Sequence, residues 1–93
     1  MISVDLWKDR VEINGHATGS PIACEAVTCL IQTLIASSED LTNDPVVSDA
    51  EKGHAVFVNK QPSEKGQTLM DAFSIGIQMV SECYGEFIHL TKH

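Results

Sequence analysis

The segment from Ser20 to about Ser38 places the strongest constraint on the fold of this chain. Ser20 and Pro21 predict a helix start, because a serine caps free N–H groups and a proline at the first helical position loses no hydrogen bond. The apolar residues that follow form two neighbouring helical ridges: Ile22, Ala26, Leu30 and Leu34, and Ala23, Val27, Ile31 and Ile35. So wide an apolar stripe predicts a mostly buried helix that packs on another layer of the protein.

Strands to form that layer are predicted on both sides of the helix. Apolar and polar residues alternate over residues 2–7 and 11–15, which predicts a β-hairpin with a short turn. After the helix, the acidic segment 37–53 predicts a solvated connector with at most a short strand over 45–47. The apolar run over 55–58 predicts a strand that is buried on both faces.

A second helix is predicted from about residue 64 to 83, with Ser63 as its cap and Gly85 beyond its end. Its apolar face is formed by Leu69, Phe73, Gly76, Ile77, Val80 and Tyr84. Residues 86–91 predict a last strand. The sequence therefore predicts an α+β fold, with two helices on a small, mostly antiparallel sheet in the order β-β-α-β-α-β. We expect residues 1–93 to form a single domain, since two separate cores would each be too small to fold unaided.

Composition argues against several classes of partner. Thirteen acidic residues against six basic ones give a formal charge of −7, which repels phosphate backbones and argues against nucleic acid. No apolar run approaches the roughly 18 residues of a membrane span, so we expect no membrane partner. The three cysteines lack CxxC spacing and follow no secretory signal, which predicts a cytoplasmic protein in a reducing compartment.

The strongest candidates for chemistry are His16, at the end of a predicted strand, and Cys24, in the first turn of the predicted helix. The free N–H groups and the dipole of a helix N-terminus favour a thiolate, and the same N–H groups can hold an oxyanion. An imidazole across one short loop can act as general base for that thiol. Spacing alone leaves open the alternative that Cys24 is a small buried residue and His16 a solvated one.

The other titratable residues are interpreted as structural. Cys29 lies on a different side of the helix from Cys24, and both Cys29 and Cys83 are expected to pack in the core. No group of histidines has the spacing of a zinc site, so we predict no metal and no cofactor. The acidic segment 39–51 is interpreted as a solvated loop, with a partner-facing or substrate-gating surface as the alternative.

The junction between strand and helix resembles one known family. Residues 13–17 read Ile-Asn-Gly-His-Ala, and residues 22–28 read Ile-Ala-Cys-Glu-Ala-Val-Thr at the start of the apolar helix. The ribosomal-processing cysteine proteases called the Prp family have a similar pattern: Gly-His-Ala, a glycine-containing loop, and a helix start whose cysteine is followed four residues later by serine. Residues 13–28 carry the resemblance, and the order of predicted elements is similar over the rest of the chain.

By this resemblance, His16 and Cys24 are a catalytic dyad. The residues that support the loop and the substrate site are, by the same resemblance, Gly15, Ala17, Gly19 and Thr28, the last of which stands where the family has serine. The family also implies a homodimer with a protein or peptide substrate. That substrate is a large-subunit ribosomal protein with an N-terminal extension or, for phage-borne relatives, a capsid or scaffold protein.

The chain departs from the family pattern at three points. Pro21 stands where the family has an aspartate, which removes a carboxylate able to touch the site or cap the helix. The loop between histidine and cysteine is shorter than in usual members, which restricts how far the site opens for a peptide. Glu25 replaces a small residue, and its negative charge opposes the ionisation of Cys24.

The sequence therefore predicts a cysteine endopeptidase. Cys24 attacks a peptide carbonyl, His16 shuttles the proton, and backbone N–H groups at the helix start or in the 17–20 loop hold the oxyanion. The alternative from another class is a non-enzymatic dimeric module that binds a protein partner, as an inactive relative would. A thiol redox sensor is the third interpretation, against which stands the absence of a resolving cysteine near Cys24 in sequence.

Overall fold

A computed structural model describes residues 1–17 and 19–93, and the fold is α+β as predicted. The elements of this part of the chain are β1 (Ile2–Leu6), β2 (Arg10–Gly15), α1 (Pro21–Leu41), β3 (Val47–Glu51), β4 (His54–Val58), α2 (Glu64–Cys83) and β5 (Ile88–Lys92). Their order is β-β-α-β-β-α-β, which contains the predicted elements and adds one strand, β3.

The strands form one sheet in the order β3-β4-β2-β1-β5. The pairs β1–β2, β2–β4 and β3–β4 are antiparallel, whereas β1 and β5 run parallel. The sheet is therefore mostly antiparallel, as predicted. The alternation in β1 follows the predicted pattern as well, because Ile2, Val4 and Leu6 are buried against the helices.

The additional strand lies in the segment that the sequence analysis interpreted as a connector. β3 forms the edge of the sheet beside β4, and most of its side chains are exposed. Exposure of its side chains explains why its composition is that of a loop. The predicted position of a short strand over 45–47 is wrong, because the strand spans Val47–Glu51. The prediction that β4 is buried on both faces is also wrong, because Ala55 and Phe57 face the core while Val56 and Val58 stay half-buried.

The two helices pack against each other and cover one face of the sheet. The buried positions are Ala23, Val27, Ile31, Leu34 and Ser38 on α1, and Gly66, Met70, Phe73 and Ile77 on α2. Gly76 allows the helices to approach closely, since a Cβ there would lie 3.0 Å from Cδ2 of Leu30. Ile22 does not join the predicted stripe and is 66% exposed, because the buried face of α1 begins at Ala23.

Helix α1 is also long enough and apolar enough, by length and composition, to cross a membrane. This corrects the expectation that no segment approaches such a span. In the structure one face of α1, with Ala23, Val27, Ile31 and Leu34, belongs to the core that it shares with α2 and the sheet, whereas Ile22 and Leu41 are exposed. A core helix passes the same test, so the finding reflects how much of α1 is apolar.

The start of α2 is held by a residue that is distant in sequence. Ser63 caps the helix as predicted, since its Oγ accepts the Gly66 N–H at 3.1 Å. In a capping box, an acid at position 66 would accept the N–H of Ser63. Here the Asp44 carboxylate does so at 3.1 Å and also accepts the Ser63 hydroxyl at 3.1 Å. Gly66 leaves the necessary room, because a Cβ there would collide with Oδ2 of Asp44.

Asp44 also ties the helix start to the end of β4. The fully buried Asn59 donates from Nδ2 to Oδ2 of Asp44 at 3.0 Å. Desolvation raises the pKa of the Asp44 carboxyl, but hydrogen bonds from Asn59, Ser63 and Thr42 outweigh it, so that pKa lies below its ordinary value. Asp44 therefore stabilises the fold above the unfolded-state pKa of about 3.9, and this stabilisation is lost as pH falls through the lower folded-state pKa.

We predict that Asp44→Asn lowers the free energy of unfolding at pH 7, because a neutral amide is a weaker acceptor for these donors. The difference from the parent should shrink as the pH falls below the unfolded-state pKa of about 3.9 and through the lower folded-state pKa, because the parent carboxyl then becomes protonated. Urea unfolding followed by circular dichroism at several pH values measures both effects. Asp49→Asn, at an exposed position on β3, is the matched control. A stability difference that is independent of pH would contradict this role of the carboxylate.

Candidate active site

The end of β2 fixes the backbone of His16. Gly15 has a φ of +97°, and a Cβ at this position would collide with the carbonyl oxygen of Met1. The Gly15 N–H donates to the Gly53 carbonyl at 2.9 Å, and the backbone nitrogen of Met1 donates to the His16 carbonyl at 2.7 Å. The backbone at His16 is therefore tied to the N-terminal residue and to the β3–β4 turn, while the residue as a whole stays exposed.

The start of α1 places Cys24 one turn into the helix. Ser20 is the cap and Pro21 the first helical residue, as predicted, and Ser20 Oγ accepts the Ala23 N–H at 3.3 Å. Ala23 is fully buried against the sheet, which fixes the rotation of the helix about its axis. Cys24, the next residue, is consequently half-buried and packs at the border of the core.

The sulfur of Cys24 accepts a hydrogen bond from the loop that precedes the helix. The backbone N–H of Ala17 lies 3.2 Å from Sγ, and the Ala17 side chain is buried. The thiol in turn donates to the Ala17 carbonyl at 3.9 Å. Ala17 therefore holds the sulfur from across the loop through both of its backbone polar groups.

The helix start offers fewer donors for an oxyanion than the sequence suggests. The Ala23 N–H is bonded to Ser20 Oγ, and the Cys24 N–H donates to the Ser20 carbonyl at 3.3 Å. These two groups are therefore engaged within the cap itself. In the predicted 17–20 loop, Thr18 lies outside the described residues, and the Ala17 N–H is the donor that points at Sγ.

A cavity of about 420 Å³ opens beside this junction, and both His16 and Cys24 line it. One wall is α1 and the other is the β3–β4 hairpin with its turn. Polar lining residues include Glu25, Thr28 and Gln32 on α1, and Glu51, Lys52 and His54 on the hairpin. Its apolar lining residues include Ile2, Ile13, Val27 and Ile31. The cavity thus combines an apolar floor with a polar rim, as ligand sites commonly do.

Both members of the predicted dyad face the same cavity, but no hydrogen bond joins them among the described residues. The His16 ring lies instead against Gly53, where an added Cβ would be 2.5 Å from Nε2. The next residue, His54, is held by a 2.6 Å hydrogen bond between its Nδ1 and Oδ1 of Asn14. Sequence reasoning missed the Gly53-His54 pair, although a glycine between two strand patterns is a turn signal.

The remaining predicted residues divide between the site and the surface. Gly15 and Thr28 line the cavity, and Gly19 is exposed in the loop with a φ of +90°. The expectation that Cys29 and Cys83 pack in the core is wrong, because both are exposed free thiols on the outer faces of the helices. Within residues 1–17 and 19–93, no three His, Cys, Asp or Glu side chains cluster as metal ligands.

Comparison with known proteins identifies the family. The family model described as cysteine protease Prp matches residues 1–89. No curated protein matches the chain. Similar solved structures include the ribosomal processing protease Prp from Staphylococcus aureus, once with a covalently linked product peptide (TM-score 0.90, 21% identity) and once with a substrate peptide (0.87, 19%), each covering 100% of both chains.

A further similar structure is SMU.848 from Streptococcus mutans, with a TM-score of 0.82 and 28% identity over 99% of this chain and 93% of that one. At these identities the structural matches establish a shared fold. A shared fold alone does not identify a family. The family model does, because it matches nearly the whole length of the chain. The chain belongs to the cysteine protease Prp family.

Proposed function

We propose that this protein is a cysteine endopeptidase in which Cys24 is the nucleophile and His16 the general base and acid. The observation that carries the proposal is the cavity they share, in which Sγ of Cys24 accepts the Ala17 N–H at 3.2 Å. The substrate is a ribosomal protein precursor, from which an N-terminal extension is removed, or a capsid or scaffold protein if the chain is phage-borne.

The chemistry divides between the two sides of the cavity. The Cys24 thiolate attacks the carbonyl carbon of the scissile bond, and the developing oxyanion accepts the N–H of Ala17, which already points at the sulfur. The His16 imidazolium gives its proton to the leaving amine. Water then attacks the thioester while His16 removes its proton, the carbon–sulfur bond breaks, and the acid product leaves with the Cys24 thiolate and the His16 imidazolium restored. The two side chains share the cavity without a hydrogen bond between them, and catalytic hydrogen bonds often form only once substrate is bound.

The shape and lining of the cavity suit a peptide. Its volume of about 420 Å³ lies within the usual range of ligand sites, and its apolar floor can bury a hydrophobic side chain. The similar protease from S. aureus holds a substrate peptide in one structure and a covalently linked product peptide in another. Both observations support a peptide as the ligand of this site.

We predict that Cys24→Ala abolishes cleavage of precursor peptides, because it removes the atom that forms the thioester. His16→Ala should lower kcat by roughly 10²- to 10⁴-fold, which is the usual contribution of general acid–base catalysis. Cleavage of a panel of ribosomal-protein and phage capsid precursors, with the products mapped by mass spectrometry, measures both. Cys29→Ala removes an exposed thiol on the same helix and is the matched control. Cleavage by Cys24→Ala at the parental rate would overturn the proposal.

The competing function is a non-enzymatic protein-binding module, which the missing hydrogen bond between His16 and Cys24 favours. The two functions differ in the reactivity of the thiols. In an enzyme, Cys24 should be alkylated by iodoacetamide at pH 6 about tenfold faster than Cys29 or Cys83, although those two are more exposed. Mass mapping of the alkylated peptides over time gives the three rates. Rates that simply follow exposure would favour the binding module.

We also propose that residues 1–93 act as one domain in the cytoplasm, as a homodimer. Support for the dimer comes from α2, where Ile75 and Met79 lie one helical turn apart and are 64% and 62% exposed. A small core gains stability when such residues are covered by a second copy.

We predict that Ile75→Glu and Met79→Glu shift the protein from dimer to monomer, because each buries a charge in the contact. Analytical ultracentrifugation at micromolar concentration gives the molecular mass. Gln61→Glu introduces the same charge at an exposed loop position and should leave the mass unchanged. A parental protein that sediments as a monomer would show that this face has no partner copy.

A further inference from the structure

The position of the His16 imidazole is set by packing. The residue is exposed, and among the described residues no side chain forms a hydrogen bond with its ring. The ring lies on the backbone of Gly53, with Nε2 and Cε1 at 2.5 Å and 2.9 Å from the place where a Cβ would stand. An exposed histidine without such a contact would exchange among its rotamers, whereas a general base has to stay close to its target.

The turn that contains Gly53 is held against the end of β2, the strand that His16 follows. Gly53 is the second residue of the two-residue turn between β3 and β4, and its φ is +84°. Its carbonyl accepts the Gly15 N–H at 2.9 Å. One position further, Asn14 and His54 are paired across β2 and β4 and joined by their side chains at 2.6 Å. The backbone under the imidazole is therefore held on both sides.

We propose that Gly53 is a positioning residue for His16: its missing Cβ leaves the space in which the Nε2–Cε1 edge of the imidazole rests beside the cavity. This inference rests on the proposed function, in which His16 is the base. Any side chain at position 53 would displace the ring edge. Rate is sensitive to such displacement, since a misplacement of about 1 Å can cost about a hundredfold.

If Gly53 had only a structural role, substitutions at this position would have different effects. A φ of +84° alone would favour glycine, so loss of stability on substitution is common to both roles. The two roles differ in whether the effect on catalysis passes through His16. The variant that separates them is Gly53→Asn, because asparagine tolerates positive φ in turns but carries the Cβ that meets the ring.

We expect Gly53→Asn to lower kcat for a cleaved precursor peptide by about 10- to 100-fold while KM changes less than about twofold. The pH–rate profile should change with it, since the base no longer sits in its usual environment. Gly19→Asn is the matched control for stability only: its φ is +90°, and an added Cβ would meet no atom closer than 4.0 Å. Thermal melting of both variants separates turn strain from the contact with His16.

Two further measurements decide the case even where the variant is unstable. In the His16→Ala background, Gly53→Asn should cause no further loss of the residual cleavage rate, whereas an additive loss would overturn the inference. In the parental protein, nuclear Overhauser effects between the His16 ring protons and the Gly53 α-protons should be present, and their absence would overturn it as well.

The outcomes also separate this inference from the function on which it rests. If His16→Ala cleaves at the parental rate, His16 is not the base, and the proposed function and this inference fall together. If His16→Ala loses activity while Gly53→Asn keeps the parental kcat, the proposed function stands and only the positioning role is overturned.

Discussion

The burial of α1 on the sheet is the contact on which the rest of the structure depends. Ala23 is fully buried and Val27 nearly so, and these two residues fix both the depth and the rotation of the helix start. Because Cys24 follows Ala23 directly, its sulfur is directed to the border of the core, where Ala17 and the cavity lie. The apolar stripe that stabilises the fold therefore also aims the nucleophile, so changes in the core near Ala23 act on the site.

Pairing between distant parts of the chain supplies the second half of the site. β2 ends at Gly15, directly before His16, and β4 begins at His54, yet the antiparallel pairing of these strands brings the β3–β4 turn against the imidazole. The edge strand β3 serves this arrangement by closing the turn, and its exposed residues form one wall of the cavity. A segment that looks like a solvated loop is thus a structural part of the site.

Sequence patterns predicted the features that depend on local chemistry. The cap at Ser20, the cap at Ser63 and the alternation of β1 each follow from neighbouring residues, and all three are found as predicted. The α+β class follows from the same patterns. His16 and Cys24, which the sequence places on either side of one short loop, line a common cavity.

The features that the sequence did not predict are set by contacts between distant residues. Asp44 completes the capping of α2 from nineteen positions away, which leaves no signal near Ser63 except a glycine where an acid is expected. The contact between the His16 ring and Gly53 likewise joins residues that are distant in sequence. Cys29 and Cys83 were assigned to the core from the general behaviour of cysteine, whereas the rotation of each helix leaves them outside.

The departures from the family pattern are compatible with an activated thiol. The aspartate replaced by Pro21 is not needed to cap α1, because Ser20 accepts the Ala23 N–H and proline requires no partner at the first helical position. Glu25 is exposed, and a charge in water acts on another about 4 Å away with only about 1 kcal/mol, less in salt. The Ala17 N–H lies 3.2 Å from Sγ in a partly buried position, and neither Pro21 nor Glu25 takes part in that contact. These two departures therefore leave the sulfur held at the cavity by the loop that precedes the helix.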